Sequence, residues 1–257
     1  MYVRAKKHLG QHFLKEDSIA ERIAHSLTVH GGYSHLVEVG PGTGALTKHL
    51  MGHTHLQLTC YEVDRDSVAH LHARYPDLRV FESDFLRMSP DAVAPGAIAV
   101  IGNFPYNIST QIVFKVLEHR DRFTELVGMF QKEVADRLCA PPGSRTYGIS
   151  SVLAQAWYTM EPLFIVEPTA FIPPPKVRSA VIRMRRNEVT SLACDERVFT
   201  ALVKAAFNHR RKTLTNALRG FPGLPVVPPK FAALRAERLS VADYVELAQA
   251  CGPPGPS

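Results

Sequence analysis

Cysteine is scarce in this 257-residue chain. Cys60, Cys139, Cys194 and Cys251 stand far apart, and no C-x-x-C pair occurs. That scatter offers neither a zinc knuckle nor a disulfide framework, and it fits a reducing, cytosolic setting. No stretch approaches the ~20 apolar residues of a membrane span. The basic opening, MYVRAKKHLGQHFLKED, lacks the apolar core of a secretory signal. Histidine is plentiful at twelve residues, with H-x-H pairs at His53/His55 and His70/His72, but no HExxH or Cys/His grouping accompanies them. No metal is expected. No internal repeat is visible.

What is present is an ordinary globular composition with an uneven charge. Hydrophobic residues make 46% and charged residues 21%, enough for a normal core. Residues 1–171 hold 16 Lys+Arg against 18 Asp+Glu, while residues 172–257 hold 14 against 6. The net charge therefore changes from −2 to +8. Arg4, Lys6, Lys7 and Lys15 add a basic cluster at the start. This asymmetry points to a polyanionic partner.

Short apolar runs alternate with helical patterns through the first two-thirds. Residues 36–39, 58–63, 78–81, 97–103 and 125–130 read as strands, several of them continuously apolar, as in a sheet covered on both faces. Ser18 and Glu21 read as a capping box for a helix carrying Ile23 and Leu27. Helical spacing also marks 45–51, 67–75, 110–117 and 149–157. Three prolines precede an alternating strand at 177–184. Beyond about Val189 the pattern is helical, at 195–207, 209–219 and 240–250, with Ser240 and Asp243 as a second box. The alternation predicts an α/β fold with an open, mostly parallel sheet. The expected domains are 1–187 and a helical 188–250, with a disordered tail at 251–257.

The sharpest motif is VEVGPGTGALT, residues 37–47. A strand enters Gly40, Gly42 and Gly44, and a helix follows. The spacing is G-x-G-x-G, a poor match to the dinucleotide fingerprint G-x-G-x-x-G. Glu38 precedes the loop; a carboxylate there disfavours a pyrophosphate and suits a positively charged ligand. Glu62 ends the second strand, where such folds place an acid for ribose hydroxyls. Asp84 follows the third, placed for an adenine amine. Together they describe a nucleoside without phosphates, and S-adenosylmethionine fits. Taken singly, Glu62 and Asp84 also read as solvent-facing strand ends.

The fourth strand ends in GNFPYNIST, residues 102–110. An ordinary turn has no use for two large rings. An exocyclic adenine amine is a poor nucleophile because its lone pair is delocalised. Asn103 offers an amide oxygen for one N–H, and Pro105 stiffens the chain so that a carbonyl takes the other. Tyr106 offers a stacking face worth roughly 1–3 kcal/mol per base. The competing reading is a strand-ending turn with two core aromatics.

KHLGQHFL, VEVGPGTGALT, YEVDRD, SDFL, GNFPYNIST, FIPPPKVRSAVI and AFNHRRKTLTNAL together resemble the adenine N6,N6-dimethyltransferases of small-subunit ribosomal RNA. The resemblance implies a Rossmann-like class I methyltransferase fold, with a seven-stranded sheet, helices on both faces and a small helical C-terminal domain. It implies S-adenosylmethionine held by Gln11, His12, Leu14, Glu38, Gly40, Gly42, Gly44, Glu62, Asp84, Phe85 and Asn103. Asn103, Pro105, Tyr106 and a second ring at Phe171 are the expected catalytic positions. Lys6, Lys7, Lys176, Arg178, Arg210, Arg211 and Lys212 are the expected RNA contacts. The implied partner is small-subunit RNA in a pre-30S particle, met by a monomer in the cytoplasm, with no membrane involved. The implied reaction dimethylates two adjacent adenines near the 3′ end of 16S rRNA. The 23S enzymes of macrolide resistance share the glycine loop and the N-x-P-Y signature, though they usually lack a run like FNHRRKTLTNAL. A non-catalytic RNA-binding assembly factor is the alternative of another class. Phe104 stands where the family more often has leucine, and Arg178 where it often has aspartate.

Overall fold

The structure is a computed structural model that describes residues 3–251. Residues 252–257, most of the expected tail, lie outside the described residues. Seven strands form one sheet: β1 (His35–Val39), β2 (Gln57–Glu62), β3 (Arg79–Glu82), β4 (Ile98–Asn103), β5 (Phe123–Gln131), β6 (Tyr158–Val166) and β7 (Ser179–Arg186). Their spatial order is β3-β2-β1-β4-β5-β7-β6. The five strands β3, β2, β1, β4 and β5 run parallel, and β7 pairs antiparallel with β5. The order reverses between β1 and β4, and open α/β sheets bind ligands at that switch point, beyond the strand ends. The glycine loop follows β1 and the Asn103 loop follows β4. A separate antiparallel pair joins Phe13–Leu14 to Phe171–Ile172.

Ile98, Ala99, Val100 and Ile101 are all fully buried, which is why β4 reads as an unbroken apolar run. The connecting helices are α1 (Asp17–Ala24), α2 (Thr47–Leu50), α3 (Arg65–Arg74) and α4 (Ser109–Glu118). Helix α1 starts ahead of the expected box: Glu16 is its N-cap and Ser18 lies inside the first turn.

Phe104 settles onto two glycines. Gly102 and Gly128 are paired across β4 and β5. A Cβ at Gly102 would stand 2.7 Å from the Phe104 ring, and one at Gly128 only 2.1 Å from it. The ring is 1% exposed and packs edge-on against Phe130 at 5.2 Å. Gly128→Ala is therefore expected to destabilise the fold by about 1–3 kcal/mol through overpacking. Phe104→Leu in the same chain should recover part of that loss in urea unfolding.

The chain forms two compact units. One takes the residues up to Ala135 together with Thr159–Arg186; the other takes Asp136–Tyr158 together with the chain from Asn187 onward. The junctions fall after Ala135, Tyr158 and Arg186. Asp136–Tyr158, expected in the first domain, instead packs within the second unit. Helix α5 (Lys132–Cys139) crosses the first junction. The second unit continues with α6 (Ile149–Gln155), α7 (Glu196–Asn208), α8 (Leu214–Ala217), α9 (Pro229–Ala232) and α10 (Val241–Gln249). The Ser240–Asp243 box forms at the start of α10. Tyr147 meets Phe207 edge-on and Tyr244 stacks on it, each with centroids 6.2 Å apart, so the 136–158 segment contributes core to this unit. The 209–219 helix is shorter than expected. Arg210, Arg211 and Lys212 lie in the turn after α7 rather than at a helix start.

Among the described residues no helix is long and apolar enough to cross a membrane. Nor does any group of three or more His, Cys, Asp or Glu there converge as metal ligands.

Candidate active site

A cleft of about 460 Å³ opens at the strand ends, lined by residues 9–13, Gly40, Gly42, Glu62, Val63 and Asn103–Tyr106. Its floor is the glycine loop. Gly40, Gly42 and Gly44 have φ of +68°, +56° and +80°, in the left-handed region that favours glycine. A Cβ on Gly42 would press to 2.8 Å from the Phe13 ring. The loop thus lies where any side chain would fill the space.

Glu62 is 4% exposed and reaches into the cleft. Its carboxylate accepts N–H bonds from Gly42 at 3.0 Å, Val63 at 2.8 Å and Asp64 at 2.9 Å. A carboxylate has about four lone-pair sites, so acceptor capacity is left for a ligand hydroxyl. Burial raises its pKa, and the three N–H bonds work the other way.

The N-terminal segment closes one side. Lys6 pairs with Asp64 and, at 2.8 Å, with Asp66. Gln11 Oε1 accepts from the Lys6 backbone at 2.8 Å, and its amide nitrogen lies 3.4 Å from Asp64. His12 Nδ1 lies 2.7 Å from the Pro173 carbonyl; a carbonyl only accepts, so Nδ1 carries the proton. The same residue's own carbonyl accepts from Asn103 Nδ2 at 2.9 Å. That bond fixes the amide: the nitrogen must face His12, and Oδ1 is the atom left to accept from a ligand. The His12 ring stacks on Tyr106 with centroids 5.4 Å apart. Pro105 abuts Gly40, at 3.6 Å from an added Cβ. A second, larger hollow of about 950 Å³ shares Gly10, Gln11, His12 and Tyr106 with the cleft and is walled by Pro173–Pro175, with Lys7 and Lys176 among its lining.

Several expected positions lie elsewhere. Phe171 is 1% exposed in the hydrophobic core, paired with Leu14 across the short two-stranded sheet. Its ring has no open face for a base. Leu14, 7% exposed, belongs to the same core; it does not line the cleft itself, but with Glu38 it lines a small neighbouring pocket that shares Phe13, Gly40 and Asn103 with the cleft. Glu38 lies beneath the loop, 1% exposed, accepting from Thr47 Oγ1 at 2.7 Å. Asp84 caps the turn Phe85–Arg87 by accepting from the Leu86 N–H at 2.9 Å. Phe85 is buried between Tyr61 and Phe123. Neither Asp84 nor Phe85 is part of the cleft lining.

The basic residues divide likewise. Lys6 is tied to Asp64 and Asp66. Arg210 donates to the Arg145 carbonyl at 2.6 Å and lies 3.6 Å from Glu237. Arg183 bonds Glu161 at 2.7 Å and the Ser26 carbonyl at 2.8 Å, which settles its role as internal. Lys7, Lys176, Arg211 and Lys212 are exposed, and Arg178 is exposed with Glu167 4.0 Å away. Asp64 escaped the sequence reading, although an acid opening the D-R-D-S start of α3 is a recognisable N-cap.

The model of the ribosomal RNA adenine dimethylase family matches residues 2–231. The chain belongs to that family. It is 49% identical to the "Ribosomal RNA small subunit methyltransferase A" of Cytophaga hutchinsonii, over 95% of this chain and 96% of that one. A dimethyladenosine transferase from Plasmodium falciparum superposes with TM-score 0.77 at 25% identity, covering 92% of this chain and 96% of that one. The 23S rRNA methyltransferase ErmE gives 0.69 at 26% identity, covering 92% and 99%. This adenine dimethylase is an S-adenosylmethionine-dependent methyltransferase of ribosomal RNA. The cleft suits that cofactor: a buried acceptor at Glu62 meets hydroxyls, bare glycine backbone admits close approach, and the Glu62 carboxylate facing the cleft is unsuited to a pyrophosphate.

Proposed function

We propose that this dimethylase transfers methyl groups to N6 of two adjacent adenines near the 3′ end of 16S rRNA, within a pre-30S particle, as a cytoplasmic monomer. The small-subunit assignment is supported by relatives 46–49% identical over about 95% of the chain that carry that name. The chemistry rests on one observation, the Asn103 amide turned by His12 so that Oδ1 stays available.

S-adenosylmethionine supplies a methyl group made electrophilic by its sulfonium. Gly40, Gly42 and Glu62 hold the nucleoside, and Gln11 and His12 close over it. Asn103 Oδ1 accepts one N–H of the target amine. The Pro105 and Tyr106 carbonyls already accept from Ile108 and Ser109, leaving that of Phe104 for the second N–H. Held by two acceptors, the nitrogen turns tetrahedral and its lone pair leaves the ring. No strong base is required, because the methylated nitrogen is itself acidic. Alignment of this kind supplies of order 7–11 kcal/mol in favourable intramolecular cases. Tyr106 gives the base its stacking face.

The deciding experiment gives labelled donor to unmethylated small and large subunits and maps the modified nucleotides. Label confined to small-subunit adenines supports the proposal; label on the large subunit assigns the chain to the 23S activity instead, and no label to an assembly factor. Exposed Arg211 and Lys212 should contact phosphate. The double alanine variant should weaken subunit binding and lower the salt slope by up to about 2. Lys6→Ala should leave that slope unchanged, because Lys6 already has two carboxylate partners. Filter binding across a salt series checks both.

A further inference from the structure

The N-F-P-Y loop does not hold its own tyrosine. Pro105 fixes a backbone angle, but Tyr106 still has two side-chain rotations. The Tyr106 hydroxyl lies 2.5 Å from Ser179 Oγ. Ser179 is fully buried at the first position of β7 and stands opposite Gln131 in the β5–β7 ladder. The carbonyl of the preceding residue, Arg178, accepts the Lys132 N–H at 2.9 Å, so the entry to β7 is tied both to the end of β5 and to the first residue of α5. The bond grips the ring at its far end, while His12 covers one face at 5.4 Å. A hydroxyl held at the far end of the ring restrains both rotations at once, which a phenylalanine ring could not provide.

We infer that Ser179 is a positioning residue for methyl transfer, locking the Tyr106 ring in the plane on which the target adenine stacks. This rests on the reading of Tyr106 as the base platform. Ser179 touches neither donor nor base; it acts through the phenol, from a strand that the loop sequence does not include.

The test is a double-mutant cycle with Ser179→Ala and Tyr106→Phe, each assayed on unmethylated small subunits with saturating donor. A single neutral hydrogen bond predicts a loss in kcat of about fivefold for either variant. Removing both partners should cost little more than removing one. Donor affinity of the Ser179→Ala variant by calorimetry should stay at the wild-type value, since Ser179 does not line the cleft. Should Ser179→Ala not fold, Ser179→Cys, close in volume, goes through the same cycle. Losses that multiply, to about 25-fold in the double variant, mean that Ser179 acts on something other than the phenol and overturn the inference. So does a fully active Ser179→Ala beside an inactive Tyr106→Ala. A fully active Tyr106→Ala overturns the base-platform reading itself, and the inference falls with it.

Discussion

Asn103→Ala should lower turnover on unmethylated small subunits by about 10²–10³-fold, the usual loss when one preorganised polar group facing developing charge is removed. The reasoning is geometric. Asn103 ends a fully buried strand, so its Cα cannot drift. Its Nδ2 is committed to the His12 carbonyl at 2.9 Å, so Oδ1 is aimed before any substrate arrives. As the adenine nitrogen attacks, its N–H bonds become more acidic and the bond to Oδ1 strengthens. The group is therefore worth more in the transition state than in the ground state, and its loss falls on kcat. Subunit affinity should be nearly unchanged, because phosphate contacts dominate it. Donor affinity should fall only slightly, through the lost tie to the His12 segment. Single-turnover methylation with filter binding separates these quantities. Near-normal turnover would remove Asn103 from the chemistry, and a parallel loss of binding would make its role structural.

Much of this arrangement was legible in the residues. The parallel strands were, because burial on both faces leaves unbroken apolar runs such as 98–101. The glycine loop was, because three left-handed backbone positions in five residues permit little else. Phe171 was misread because its surroundings depend on a two-residue pairing with Leu14, far away in sequence; nothing local records which face of such a short strand turns inward. Lys6 and Lys7 look alike in sequence, and only the return of Asp64 and Asp66 decides which of them is paired. Asp136–Tyr158 carries the same helical pattern whichever unit it joins; the partners of Tyr147 settle that. Ser179 was invisible for a similar reason, since a serine acquires a role only once the Tyr106 hydroxyl lies beside it.

Glu38 gives the clearest case of a motif residue whose physics differs from its apparent role, and it predicts a pH signature. Desolvation at 1% exposure pushes its pKa from an ordinary 4.5 up to about 7; the Thr47 and Cys60 hydrogen bonds pull the other way, and the nearby Glu62 charge pushes up again. Between pH 4.5 and 7 the unfolded chain has released this proton while the folded chain keeps it. Folded protein then binds more protons, so this group's contribution to stability falls as pH rises through the window and is flat above it. A shift of that size is worth about 3 kcal/mol. Glu38→Gln mimics the protonated acid: one oxygen still accepts from Thr47, and no charge forms at any pH. Compared with wild type, the glutamine variant should be equally stable near pH 4.5 and gain steadily to about 3 kcal/mol by pH 8. Contributions from groups that do not interact with Glu38 cancel in that difference. Urea unfolding of both proteins at half-unit steps measures it. A wild type that gains on the variant as pH rises would mean an ionised, stabilising Glu38, and would return this carboxylate to the role of a charge held ready for the sulfonium.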